Sequence, residues 1–112
     1  MNDPEAMWTL NRALGLIRGT YPHAAGAGWY LCLGGGVLLR GYSDHDLDII
    51  AIPHYGAKLD DLYTVLRDRK WTRVRTAEQM QASWKEPDKK HVEEWSWAGK
   101  RIDLIVYRTT DT

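Results

Sequence analysis

The sequence predicts an α/β (α+β) fold, a mixed β-sheet with helices packed on it, and three observations lead there. Apolar residues at helical spacing open the chain and recur in its middle. Apolar strand-like runs lie between and after them, and a glycine cluster separates the first strand from the next short helix. Helices and strands interleaved in this order build a sheet covered by helices.

Residues 4–18 place Met7, Leu10, Leu14 and Ile17 at steps of three and four, one apolar face of a helix. Pro4 is tolerated in its first turn, and Gly19 and Pro22 read as stop signals. Residues 28–33 read as a buried strand cut off by Gly34, Gly35 and Gly36, and 37–40 as a short helix before Gly41. A second strand covers 45–52 and ends at Pro53. Residues 57–70 carry Leu59, Leu62, Tyr63 and Leu66 on one side of a helix. A short strand (71–75), a short helix (76–84) and a polar loop (86–90) follow. The runs 91–97 and 100–108 are strands joined at Ala98-Gly99, a hairpin signal.

The 112 residues suffice for one core, so 1–112 reads as a single domain. Fifteen basic and fifteen acidic side chains cancel to zero net charge, which argues against a general nucleic-acid coat. The longest nearly apolar run, 31–39, is far short of the ~20 residues that span a bilayer. Asp3 and Glu5 precede any apolar stretch, against a secretory signal. The lone Cys32 rules out an intrachain disulfide framework or a cysteine zinc site, and a cytoplasmic location is expected. Six Trp and six Tyr with no Phe bring a polar atom with every large ring, which predicts many of them at the boundary between core and water.

The chemistry concentrates between Gly34 and Ile50. A dinucleotide-binding glycine pattern fails at Leu39, a P-loop fails at Tyr42, and a calcium loop starting at Asp44 fails at Ile49 and Tyr55. What remains is a strand, a glycine turn, and a second strand bearing Asp46 and Asp48. Alternation puts both carboxylates on one face, about 7 Å apart at the backbone, with Leu47 and Ile49 on the other. Such a pair repels by about 2 kcal/mol at an effective dielectric of 20, and a divalent cation with a preference for oxygen, such as Mg²⁺, removes the repulsion. Asp103, inside an otherwise apolar strand, completes the site if its strand lies beside the first pair. Glycines between strand and helix let backbone N–H groups approach a phosphate. Carboxylates and phosphate oxygens sharing two cations suit in-line phosphoryl displacement.

Gly35-Gly36, nine residues, Asp46-x-Asp48 and the later Asp103 resemble the polymerase-beta-type nucleotidyltransferase superfamily, most closely its small bacterial members. The resemblance is strong over 30–52 and rests elsewhere on element order and Asp103. It implies that Asp46 and Asp48 bind both metals (Mg²⁺ or Mn²⁺) and that Asp103 binds the catalytic one. It implies that Gly34, Gly35, Gly36 and Ser43 hold a nucleoside triphosphate, with ATP the expected donor to a hydroxyl acceptor. Two departures stand out: Gly36 replaces a frequent serine, and the chain has no room for the family's usual helical acceptor domain. The acceptor must therefore meet an open cleft, or arrive with a second protein chain or a homodimer mate.

Plainer readings stand beside these. The same fold serves equally as a catalytically silent interaction module or the antitoxin-like half of a two-protein system. Asp103 can simply pair with Arg101 or Lys100, and His45 reads as a structural histidine. His23, His54 and His91 read as isolated surface residues. Arg67, Arg69, Lys70, Arg73 and Arg75 suit a triphosphate or RNA, or merely the negative end of a helix dipole. Trp95 and Trp97 share a strand face, to stack a base or to pack on the sheet.

Overall fold

A computed structural model describes residues 7–43, 46–80 and 90–108. The elements in chain order are β1 (Trp8–Thr9), α1 (Leu10–Gly26), β2 (Trp29–Gly34), α2 (Gly35–Arg40), β3 (Tyr42–Ser43), β4 (Asp46–Pro53), α3 (Leu59–Asp68), β5 (Thr72–Arg75), α4 (Ala77–Met80), β6 (Lys90–Trp97) and β7 (Lys100–Tyr107). Five strands form one mixed sheet in the order β2-β4-β7-β6-β5, and β1 and β3 pair separately. The β4–β7 junction is parallel; β2–β4, β7–β6 and β6–β5 are antiparallel. The mixed sheet with packed helices is the architecture the sequence predicts.

Strand alternation divides the sheet into two faces. Leu47, Ile49, Ala51, Ile102, Leu104 and Val106 are fully buried and join one core with Ala13 and Leu16 of α1 and Leu62 and Leu66 of α3. The intervening residues of β4 and β7 lie on the opposite, open face. The β6–β7 turn forms as predicted, with Ala98 and Gly99 at φ 51° and 77°, the left-handed pair that a two-residue hairpin loop requires.

The first helix departs from expectation. It starts at Leu10, with Thr9 as N-cap accepting the Arg12 N–H, and it runs through Gly19 and Pro22 to Gly26. Its fully buried face is mostly small, Ala13, Leu16, Thr20 and Ala24, whereas of the predicted residues Met7, Leu14 and Ile17 are half-buried, Ile17 packed against the core, and Leu10 is exposed. Burial of that small-residue face continues the helix past local breakers, whose cost is set against packing rather than propensity. Residues 4–6 and 81–84 of the predicted helices, and 86–89 of the polar loop, lie outside the described residues.

The tryptophans also differ from expectation. Trp8, Trp29, Trp71 and Trp95 are at most 2% exposed. Each indole N–H has an internal acceptor: the Arg101 carbonyl, the Lys58 carbonyl, Thr20 Oγ1 and Glu93 Oε1 respectively. With the polar atom satisfied inside the protein, the whole ring can leave water.

Candidate functional site

Leu47 and Ile49 enter the core, so Asp46 and Asp48 must occupy the open face of β4. On β7, burial of Ile102 and Leu104 turns Asp103 to the same face. The parallel register then sets Asp48 opposite Asp103 and Asp46 opposite Arg101. The three half-buried carboxylates each offer an oxygen, and these oxygens lie within 4.8 Å of one another. Two acids separated by one residue and a third 55 residues beyond Asp48 thus meet at one point.

The glycine turn closes the other side. Gly34 is the register partner of Asp48, and Gly35 leaves the strand at φ +64°. A Cβ on Gly35 would lie 1.9 Å from Asp48 Oδ2, so both the backbone conformation and the close approach require glycine. At Gly36 the corresponding atom would meet the Arg40 Nη2, 2.4 Å away, the movable end of a long side chain. Gly34 occupies the N-cap of α2 and supplies no side-chain cap. Ser43 is buried, and its hydroxyl oxygen accepts the Asp46 N–H at 3.4 Å, tying it to the start of the acid-bearing strand.

Burial is the largest influence on Asp103 and, with a hydrogen bond shared with Asp46, pushes its pKa up to about 7. The Arg101 guanidinium opposes that rise, and Arg101 Nε donates to Asp103 Oδ1 at 3.1 Å. Asp48 is also raised, first by burial and then by the charge of Asp46. Burial and mutual repulsion thus both disfavour the charged forms of Asp48 and Asp103 in the metal-free protein. Hard oxygen donors and close convergence fit a Mg²⁺- or Mn²⁺-type ion, which would favour those charged forms.

The register also exposes a residue that reading the sequence overlooked. Glu94 on β6 is the Cα partner of Asp103, and its Oε1 binds Arg75 of β5 at 2.6 Å. The hairpin turn already encoded this pairing, because closing the strands at Ala98-Gly99 counts Glu94 back onto Asp103. Other residues lie away from the centre. His91 is buried rather than on the surface: it accepts a hydrogen bond from Arg108 Nε and faces Glu93 at 3.5 Å. Among the basic residues, Arg73 contacts Glu93, Arg67 lies over Tyr63, and Arg69 reaches His23. Trp95 belongs to the core, and Trp97 stacks on Trp8 at 6.4 Å between ring centroids. His45 lies outside the described residues.

Comparison with family models, with curated proteins and with solved structures finds no match. Among the described residues, no helix is long and apolar enough to cross a membrane.

Proposed function

We propose that the protein is a metal-dependent nucleotidyltransferase of the polymerase-beta type, moving a nucleoside monophosphate from a nucleoside triphosphate to a hydroxyl acceptor. The observation that carries this reading is the convergence of Asp46, Asp48 and Asp103 within 4.8 Å, beside a glycine turn in which Asp48 fills the space a Gly35 side chain would need. In this reading, Asp46, Asp48 and Asp103 hold Mg²⁺ or Mn²⁺, and the backbone of Gly34, Gly35 and Gly36 receives the triphosphate. Bound ions would lower the charge on the attacking oxygen and on the departing pyrophosphate. The acceptor hydroxyl oxygen forms a bond to the α-phosphorus while the bond to the bridging oxygen of the β-phosphate breaks. Pyrophosphate leaves with that electron pair, and the hydroxyl proton passes to solvent.

The test is incubation with α-labelled nucleoside triphosphates, ATP first, with Mg²⁺ or Mn²⁺ and a panel of hydroxyl acceptors. Label transfer by the wild type and its loss in Asp46→Asn is the expected result. Equal behaviour of the two proteins, with no nucleotide binding at millimolar concentration, overturns the reading.

A second reading is favoured by one feature of the same open face. Tyr30, Ile52 and Tyr107 are 42%, 41% and 38% exposed, which suits an interaction module with a partner chain. A monomeric protein that transfers label without any partner excludes it.

A further inference from the structure

We infer that Arg101 is the resident counter-cation of the acidic centre, and that its guanidinium turns from Asp103 toward Glu94 when Asp103 binds a divalent ion. This rests on the metal-dependent reading above.

Charges alternate across the open face of β5, β6 and β7. Arg75 Nη2 lies 2.6 Å from Glu94 Oε1, Glu94 is the Cα partner of Asp103, and Arg101 Nε donates to Asp103 Oδ1 at 3.1 Å. Arg101 is flanked in register by Asp46 on one side and Ser96 on the other. Its charge acts on Asp103, Glu94, Asp46 and Asp48. Of these, Glu94 is paired with Arg75, and the three clustered carboxylates have the Arg101–Asp103 contact as their ion pair.

Asp103 is already engaged: Oδ1 holds Arg101, and the carboxyl lies against Asp46 within the acidic cluster. Turning this carboxyl toward an added cation loosens one of these partners, and like-charge repulsion selects Arg101. The Arg101 backbone is pinned, because its carbonyl accepts the buried Trp8 indole N–H at 2.7 Å. The side chain is not: it is 39% exposed and swings without disturbing the core. Glu94 is the acid placed to receive it. Arg75 Nε and Nη2 both reach Glu94 Oε1, and Oε2 has no hydrogen-bond partner among the described residues. Metal loading and the position of Arg101 are therefore opposed states of one site, with Glu94 as the alternative seat.

The experiment is a Mn²⁺ titration without nucleotide, followed by the electron paramagnetic resonance of the free ion. Wild type is compared with Arg101→Met, Arg101→Lys, Glu94→Gln and the Arg101→Met/Glu94→Gln double variant, each checked for folding by circular dichroism. Removing one unit charge from within a few ångströms of a divalent ion, in a water-like dielectric, tightens binding about tenfold in Arg101→Met. Arg101→Lys keeps the charge and stays within about threefold of wild type. Glu94→Gln weakens binding about threefold when Arg101 is present and by less in the Arg101→Met background, which marks an effect acting through the guanidinium. Arg101→Met binding no tighter than a metal-binding wild type overturns the inference alone. An equal Glu94→Gln effect in both backgrounds overturns the role of Glu94. Absence of Mn²⁺ binding at millimolar concentration in every variant overturns the metal reading, and this inference with it. If Arg101→Met does not fold, Arg101→Gln takes its place.

Discussion

Asp48 and Asp103 are Cα partners across the parallel β4–β7 junction, so two carboxylates face each other on one side of the sheet. Two buried-side neighbours, Leu47 and Ile102, share the adjacent register and hold both strands in this phase. A one-residue slip of either strand would send its acids into the core. The placement of the acids is thus enforced by apolar burial on the far face, while the acids themselves work against the fold.

That opposition makes stability and metal binding move in contrary directions. Asp103→Asn removes a carboxylate that repels its neighbours, and it raises the stability of the metal-free protein at pH 8 by about 1 kcal/mol, a few degrees in Tm. The same change abolishes the Tm increase produced by Mn²⁺ in the wild type. A thermal melt series with and without Mn²⁺ reads both effects. A variant less stable than wild type at pH 8 contradicts the account.

The pH dependence has a definite sign. Asp103 is raised from 3.8 to about 7, so between these values the folded state binds more protons than the unfolded chain. Stability contributed by this group is present at low pH and declines as pH rises toward 7, and Asp48, also raised, adds to the same slope. Melts of the metal-free wild type between pH 4 and pH 8 should lie on a steeper downward trend than those of Asp103→Asn. Mn²⁺ should flatten the wild-type trend. Parallel trends for the two proteins would count against the raised carboxyl.

Two adjacent glycines are predicted to respond unequally. Gly35→Ala must relieve a 1.9 Å contact with Asp48 Oδ2 and adopt φ +64°, so it costs about 2–3 kcal/mol and displaces the carboxylate. Gly36→Ala pushes only against the Arg40 guanidinium and costs about 1 kcal/mol or less. Chemical denaturation and Mn²⁺ affinity measured together separate the two. Equal effects would remove the special role of Gly35.

A second buried carboxylate has a structural task. Glu93 is 2% exposed; burial alone pushes its pKa up, but hydrogen bonds with His91, Tyr63 and Trp95 outweigh it and hold the group below the ordinary range. Glu93→Ala strands these donors and Arg73 inside the protein, and it is expected to cost about 3–4 kcal/mol in urea unfolding. Tyr63→Phe, which loses one donor, should cost about 1–2 kcal/mol. Mn²⁺ affinity should stay within about twofold of wild type in Tyr63→Phe, because Tyr63 and Glu93 belong to the core network rather than the acidic centre. A large change in that affinity would show the two networks to be linked.

The elements legible in the sequence are those whose local pattern and burial agree. The strand carrying Asp46 and Asp48 alternates cleanly, the second long helix shows its Leu62–Leu66 face, and the hairpin announces itself through Ala98-Gly99. Where local signals and packing disagree, packing decides. Gly19 and Pro22 read as the end of α1, yet Thr20 and Ala24 are buried and the helix continues through both breakers. His91 carries no local mark of burial, and it becomes a core residue only because Glu93 and Arg108 surround it.

By itself, the amino-acid order determined which face of each strand the acids occupy and that a glycine turn precedes them, because alternation and glycine's freedom at positive φ act over a few residues. Tertiary structure alone decided that β7 inserts between β4 and β6, in parallel with one and antiparallel with the other. That insertion sets Asp103 against Asp48, places Arg101 beside Asp46, and draws Glu94 with Arg75 to the margin of the site. Strand order depends on the joint burial of apolar faces distant in sequence, so no local pattern reports it.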